Sequence, residues 1–164
     1  MTKCNRIDAA MTRREAQAGF SIVEMLLVLA IMAIFITFAG PAFTESYRAY
    51  KVRSAMQELS VALRAVRQVA VSTRTATNLV VNTAAGSYSW TNAKGQTRTY
   101  GLPVGVSFVS ANPSTITFVT NGTVSTGAAT VVLKGTVNGS RADQWTLSLN
   151  TVGQVTSSFA MVTP

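Results

Sequence analysis

Few side chains in this sequence of 164 residues could perform acid–base, thiol or metal chemistry: six Asp and Glu, one cysteine and no histidine. The absence of histidine excludes an imidazole base, a Ser-His-Asp triad and a His-containing zinc or haem site. Cys4 is the lone cysteine and cannot form an intramolecular disulfide. Asp143 is the only carboxylate after Glu58, which leaves no carboxylate pair for glycoside hydrolysis and too few ligands for calcium.

Lysine-assisted chemistry is equally unsupported. No spacing favours a Ser-Lys arrangement at Lys94 or Lys134, and no glycine-rich phosphate loop lies between a strand and a helix. We therefore expect no enzyme activity, no cofactor and no metal site. Charged residues make up only 12% of the chain, about half the usual share, which favours membrane contact or a Thr/Ser-rich β structure.

One apolar segment dominates the N-terminal part of the chain. Residues 25–43 carry no charge, and a helix over residues 20–43 would be long enough to cross a bilayer, although a buried core helix is the alternative. The four Lys and Arg residues before position 20 predict a cytoplasmic N-terminus by the positive-inside rule. We expect a single-pass protein of the bacterial inner membrane with a periplasmic head.

The run GFSIVE at residues 19–24, followed by the apolar segment, closely resembles the prepilin cleavage and methylation motif of type IV pilins and type II secretion pseudopilins. The resemblance implies cutting between Gly19 and Phe20 by the prepilin peptidase and methylation of the new Phe20 amine. Gly40-Pro41 resembles the helix-loosening proline of this family, since proline lacks the N–H of a regular helix. Met11 is an alternative start that leaves the mature chain unchanged.

Glu24 is the only charged residue between positions 20 and 43. A carboxylate in an apolar helix is costly within a bilayer, so it is expected to be neutralised, paired or functional. One interpretation is a glutamate that snorkels to the headgroups. The other, implied by the family, is an ion pair with the Phe20 amine of a neighbouring subunit, which makes Glu24 an assembly residue.

The helix is predicted to continue outward as an amphipathic segment over residues 44–74. Its apolar residues recur every three or four positions and form one stripe: Val52, Met56, Leu59, Leu63, Val66 and Ala70. Arg53, Arg64 and Arg67 lie on the flank of the stripe, either as solvated stems or as contacts to other subunits or nucleic acid.

After Thr75 the sequence changes to short β-branched segments separated by Gly, Asn and Pro. Strands are predicted at residues 77–82, 87–91, 96–102, 106–110, 115–120, 130–137 and 144–150. The dipeptides at Asn121 and Asn138 predict tight turns, and four aromatic residues are expected in the core or on a sheet face: Trp90, Phe108, Phe118 and Trp145.

These segments predict four regions: a prepilin leader at 1–19, a transmembrane helix at 20–43, an amphipathic helix at 44–74 and a β-rich head at 75–164. The fold class is α+β, with a long N-terminal transmembrane and amphipathic helix packed on a C-terminal antiparallel β-sheet, or two. The head resembles the H-type minor subunits of type II secretion and related type IV pili, which are associated with positions near a filament tip.

Two functions follow from the resemblance. The preferred interpretation is a minor pseudopilin of the type II secretion pseudopilus, with other pseudopilins or minor pilins and the inner-membrane assembly platform as partners. The alternative is a type IV pilus minor pilin for pilus assembly or DNA uptake. The net charge of +6 after residue 19 suits DNA. DNA is nevertheless not favoured, because the late Gly-Arg-x-Arg motif of DNA-binding relatives reads GQVT at residues 153–156.

Overall fold

The computed structural model describes residues 20–163, apart from the side chains at positions 39, 41 and 42. The predicted leader, including Gly19, lies outside the described residues. Two compact units divide between Ala39 and Gly40. The described elements are α1 (Ile22–Thr73), β1 (Thr77–Asn82), β2 (Ser87–Thr91), β3 (Thr97–Gly101), β4 (Val106–Asn112), β5 (Thr115–Phe118), β6 (Ala129–Thr136), β7 (Ala142–Leu149) and β8 (Val155–Val162).

The predicted apolar stripe of α1 is the helical side of the core. All six of its residues are at most 2% exposed, because their three- and four-residue spacing keeps them on one face of the helix. α1 ends at Thr73, and Arg74 follows with a φ of 52°, the left-handed conformation that commonly terminates helices.

The strands form two antiparallel sheets of four within the described residues. One has the order β3-β2-β1-β5 and the other the order β4-β6-β7-β8. In β6 the buried positions alternate, so Ala129, Val131, Leu133 and Gly135 share one face. Leu79, Ile116, Phe118, Leu133 and Leu147 are fully buried and pack with the helix stripe, which confirms the predicted α+β architecture.

One strand, β8, is not among those predicted from the sequence. No strand is predicted after residue 150, whereas β8 pairs with β7 along its whole length, from Ala142↔Val162 to Leu149↔Val155. β8 is an edge strand with six consecutive exposed residues, so its sequence shows no alternation of apolar and polar side chains. Its position depends on backbone hydrogen bonds to β7, which do not require a particular side-chain pattern.

Both predicted turns form around their asparagines. The Asn121 side chain accepts a hydrogen bond from the Thr123 backbone N–H at 3.1 Å, and Gly122 has a φ of +80°. The Asn138 side chain accepts one from the Ser140 backbone N–H at 2.9 Å. These are Asx-type turns, in which the asparagine replaces a backbone acceptor.

Candidate functional site

Phe20 lies two residues before the start of α1, and Glu24 lies in the first turn of that helix. Ser21 precedes the first helical residue, and its hydroxyl oxygen accepts a hydrogen bond from the Val23 N–H at 3.3 Å. This is the geometry of a helix N-cap, which satisfies one of the free N–H groups of the first turn. The sequence analysis did not identify this role of Ser21, although a serine followed three residues later by glutamate is a typical helix start.

Glu24 lies in the first turn of α1 and is exposed. The partial positive charge at a helix N-terminus favours a carboxylate at this position. Within residues 20–163 the salt bridge between Arg141 and Asp143 is the only one, so Glu24 has no cationic partner among the described side chains. Its carboxylate is therefore available to an amine supplied by another chain.

The apolar residues on both sides of Glu24, from Ile22 to Phe38, are exposed around the whole helix. Their exposed fractions range from 43% at Val28 to 79% at Ile22. They are Ile22, Val23, Met25, Leu26, Leu27, Val28, Leu29, Ile31, Met32, Ile34, Phe35, Ile36 and Phe38. A helix that is apolar on every side requires lipid or other apolar helices around it.

By length and hydropathy, no single helix of the described residues qualifies as a membrane span. The helical segments Ile22–Phe38 and Phe43–Thr73 meet the criterion only when they are taken together. Gly40 lies inside α1, and a Cβ added there would have no heavy atom within 4 Å. The predicted loosening of the helix at Gly40-Pro41 stays a prediction.

A second cluster of polar groups lies in the head, where α1 meets β2 and β3. The Tyr88 hydroxyl is hydrogen-bonded to the Glu58 carboxylate, and its ring stacks on Tyr100 with centroids 5.4 Å apart. Burial raises the pKa of the Tyr88 phenol, and the negative charge and hydrogen bond of Glu58 raise it further. Trp90 is partly buried beside this cluster, and its Nε1 has no hydrogen-bond partner among the described residues.

The raised pKa of Tyr88 predicts a pH-dependent stability. The folded chain retains the Tyr88 proton above pH 10, where the unfolded chain releases it, so the stabilisation is complete below about pH 10 and is lost as the pH rises further. At pH 7 we expect Tyr88→Phe to be less stable than wild type by roughly 1 kcal/mol, because it loses the hydrogen bond to Glu58. Denaturant unfolding of the full chain in mild detergent measures the free energy of unfolding of each protein at each pH. The difference between wild type and Tyr88→Phe should be smaller at pH 11 than at pH 7. A difference that increases with pH would contradict the proposed effect of Tyr88.

Arg67 connects α1 to two turns of the head. Its Nη1 donates a hydrogen bond to the Gly153 carbonyl at 3.3 Å. Gly122 and Gly153 both have a φ of +80°, and a Cβ added at either would lie 3.0 or 3.1 Å from the Arg67 Nε. The guanidinium therefore packs against both turns. Arg67 is half-buried and contacts its own chain, whereas Arg53 and Arg64 are exposed.

The remaining candidate cations lie on separate elements, and two of them contact their own chain. Arg141 Nε donates to Asp143 Oδ1 at 2.8 Å, and Lys134 Nζ donates to the Thr163 carbonyl at 3.4 Å. Arg98 is exposed on β3, in the other sheet. Among the described residues no three His, Cys, Asp or Glu side chains come together as a metal site.

Comparison with known proteins finds similarity in the N-terminal motif and in the fold. A family model described as the prokaryotic N-terminal methylation motif matches residues 14–40. Two crystal structures of the type IV minor pilin FimU from Pseudomonas aeruginosa strain PAO1 share the fold. The form in space group P21 is 21% identical with a TM-score of 0.53, covering 67% of this chain and 90% of FimU. The P65 form is 20% identical with a TM-score of 0.50, covering 65% and 91%. No curated protein matches significantly.

Proposed function

We propose that this chain is a minor pilin-like structural subunit of a type IV pilus, anchored in the inner membrane by residues 20–43 before it enters the filament. The observation that carries the proposal is the combination of a methylation motif at residues 14–40 with a head that has the fold of a minor pilin. The preferred interpretation of the sequence alone is a type II secretion pseudopilin. The comparisons support the pilus alternative better, because both similar structures are type IV minor pilins.

Processing and methylation are the first steps of the proposed pathway. The prepilin peptidase cuts between Gly19 and Phe20 and methylates the Phe20 amine. The start of α1 supports a cut at this position. The helix begins at Ile22, so only Phe20 and Ser21 lie between the proposed cut and the helix. The mature chain then begins almost directly with helix, and its N-terminal amine lies one turn from Glu24.

Assembly is the second step. Exposed apolar side chains surround α1 from Ile22 to Phe38, so lateral packing with the helices of other subunits would bury them as the chain leaves the lipid. Glu24 then pairs with the Phe20 amine of a neighbouring subunit. Other minor pilins and the inner-membrane assembly platform are the partners, and Gly40-Pro41 supplies a weak point in the helix.

The head acts in this proposal as a structural module and not as an enzyme. Asp143, the sole carboxylate after Glu58, is 3% exposed and is held by Arg141. DNA remains a disfavoured partner, because residues 153–156 read GQVT in place of the Gly-Arg-x-Arg motif and the candidate head cations Arg98, Lys134 and Arg141 lie on separate elements. Membership of the H-type group and a place near the filament tip remain predictions.

Glu24 offers the sharpest test of the assembly proposal. We expect Glu24→Ala to be cut and methylated normally but to enter sheared surface filaments at least about tenfold less than wild type. Removing one partner of a desolvated ion pair typically costs about 3–5 kcal/mol. Mass spectrometry of the membrane fraction measures processing, and immunoblotting of sheared filaments from the native host measures incorporation.

Glu45→Ala is the matched control, since Glu45 is also an exposed glutamate of α1 but lies beyond the apolar segment. It should enter filaments as wild type does. Equal incorporation of the Glu24 variant would remove the proposed role of this carboxylate. Absence of the wild-type chain from surface filaments, combined with a secretion defect in its deletion strain, would instead favour the secretion pseudopilus.

A further inference from the structure

A cleft with two cations lies on the head close to the apolar segment in sequence. It has a volume of about 440 Å³. Its lining consists of Arg48, Lys51, Val104, Gly105, Val106 and Thr136, so the only ionisable side chains among these are basic. A concave site with this charge favours an anionic ligand.

Contacts within the head hold both cations near the cleft. Arg48 Nη1 donates to the Val137 carbonyl at 3.2 Å, which leaves its other N–H groups free to bind an anion. Lys51 Nζ lies 4.8 Å from the centre of the Tyr47 ring, a cation–π contact. Neither cation forms a salt bridge with a described carboxylate.

The position of these residues along α1 identifies the anion. Phe43 is the last residue of the uncharged segment, and at 1.5 Å per residue Arg48 and Lys51 lie about 8 and 12 Å farther along the helix. The polar layer of a bilayer is about 5–8 Å thick on each side of the hydrocarbon. A helix that leaves the hydrocarbon near Phe43 therefore carries these cations to the depth of the phosphates or just beyond.

Three exposed apolar or aromatic residues accompany the cations. Tyr47 is 53% exposed and Tyr50 is 65% exposed, and tyrosines at this depth are typical of membrane interfaces. Val104, on the loop between β3 and β4 that lines the cleft, is 90% exposed. An apolar loop tip that lines a cleft with two cations, on a head whose helix carries two exposed tyrosines at the same level, fits the chemistry of a bilayer surface better than that of water.

We propose that, before assembly, the head docks on the membrane through this cleft, with Arg48 and Lys51 binding the phosphates of anionic phospholipids and Val104 contacting the lipid surface. This inference rests on the proposed function, because it requires the apolar segment to span the membrane. It adds a specific resting state for the head. Entry into the filament then requires release of these headgroups, so anionic lipid opposes extraction of the subunit.

The test uses the full chain with Cys4→Ser and Val104→Cys, labelled at position 104 with an environment-sensitive fluorophore and reconstituted into vesicles. The vesicles contain phosphatidylcholine alone or with phosphatidylglycerol as about one third of the lipid. Headgroup-nitroxide lipids report the contact by quenching. We expect strong quenching only with phosphatidylglycerol. Each of Arg48→Gln and Lys51→Gln should lower the docked-to-undocked ratio about fivefold, because each basic residue near an anionic surface contributes about that factor.

Two controls accompany these variants. The double variant Lys94→Gln with Arg98→Gln removes two exposed cations from the β2–β3 hairpin and should leave quenching at position 104 unchanged. A fluorophore at Val152, which is 62% exposed beside the Gly153 turn held by Arg67, should stay unquenched. Position 67 lies about 28 Å beyond Arg48 along the helix.

Resistance to carbonate extraction separates the possible failures. A chain that resists extraction but shows no quenching in either lipid overturns the docking proposal and leaves the proposed function intact. The fluorophore at position 104 could instead be shielded from water equally in both lipids, and more strongly at higher protein density. That result means that a second copy covers the cleft, which also overturns the proposal. A chain that carbonate removes has no membrane span, and both proposals then fail.

Discussion

Gly19→Leu is expected to leave the protein as an uncut precursor in the membrane, with no detectable mature form. The proposed cut lies directly after this glycine, and a residue without a side chain lets the backbone approach a protease closely. A leucine side chain at this position obstructs that approach. Intact-mass spectrometry of the protein purified from the native host distinguishes the two forms, because the precursor retains residues 1–19.

Ala16→Leu is the control for a general disturbance of the leader. It introduces the same side chain three residues earlier and leaves the residues on both sides of the proposed cut unchanged. We expect this variant to be cut and methylated at Phe20. A mature mass for the Gly19 variant would contradict the proposed cleavage site. The precursor mass also decides whether translation starts at Met1 or Met11.

The N-terminal end of α1 suggests a second role for Glu24, within its own chain. Cutting after Gly19 creates a positive amine at Phe20, next to the N-terminus of a helix whose own dipole is positive at that end. This juxtaposition is unfavourable, and a carboxylate in the first turn offsets it. In the proposed pathway, Glu24 compensates the new charge within its own chain before assembly and pairs with the amine of a neighbouring chain afterwards.

The helix stripe and most strands follow from side-chain periodicity, which is why the sequence predicts them. Val52 and Leu59 recur at helical spacing, and the β6 residues alternate between buried and partly exposed positions. Phe108 and Phe118 are buried, and Trp90 and Trp145 lie partly buried on strands and pack against the core, which agrees with their predicted place in the core or on a sheet face. β8 has no such signal, because the sheet positions it through backbone pairing at an edge.

Contacts between residues far apart in sequence could not be predicted from one sequence. Arg67 and Gly153 are separated by 86 positions, and nothing local to either residue indicates their hydrogen bond. The same applies to Arg48, whose partner Val137 is 89 positions away. In the candidate site, the motif predicted Phe20 and Glu24 because their spacing is local. The cleft at Arg48 could not be predicted in this way, because it forms only when the folded head places Val104 next to the helix.

Gly135 is a position in the head where a single added methyl group should strongly destabilise the fold. Its strand β6 faces α1, and a Cβ added at Gly135 would overlap the Val52 Cγ2 atom. Val52 is 1% exposed and belongs to the buried stripe, so it cannot move into solvent. We expect Gly135→Ala to lower the free energy of unfolding by about 1–3 kcal/mol, the usual cost of overpacking a core, and Gly135→Leu to prevent folding of the head.

Denaturant unfolding of the full chain in mild detergent measures the effect of Gly135→Ala. Gly101→Ala is the matched control, because Gly101 also lies in a strand but has no heavy atom within 4 Å of an added Cβ. It should leave the stability near that of wild type. Val52→Ala removes the methyl group that the new Cβ meets, so the double variant should be more stable than the sum of the two single losses implies. Simple additivity of the two losses would show that contact with Val52 is not the source of the destabilisation.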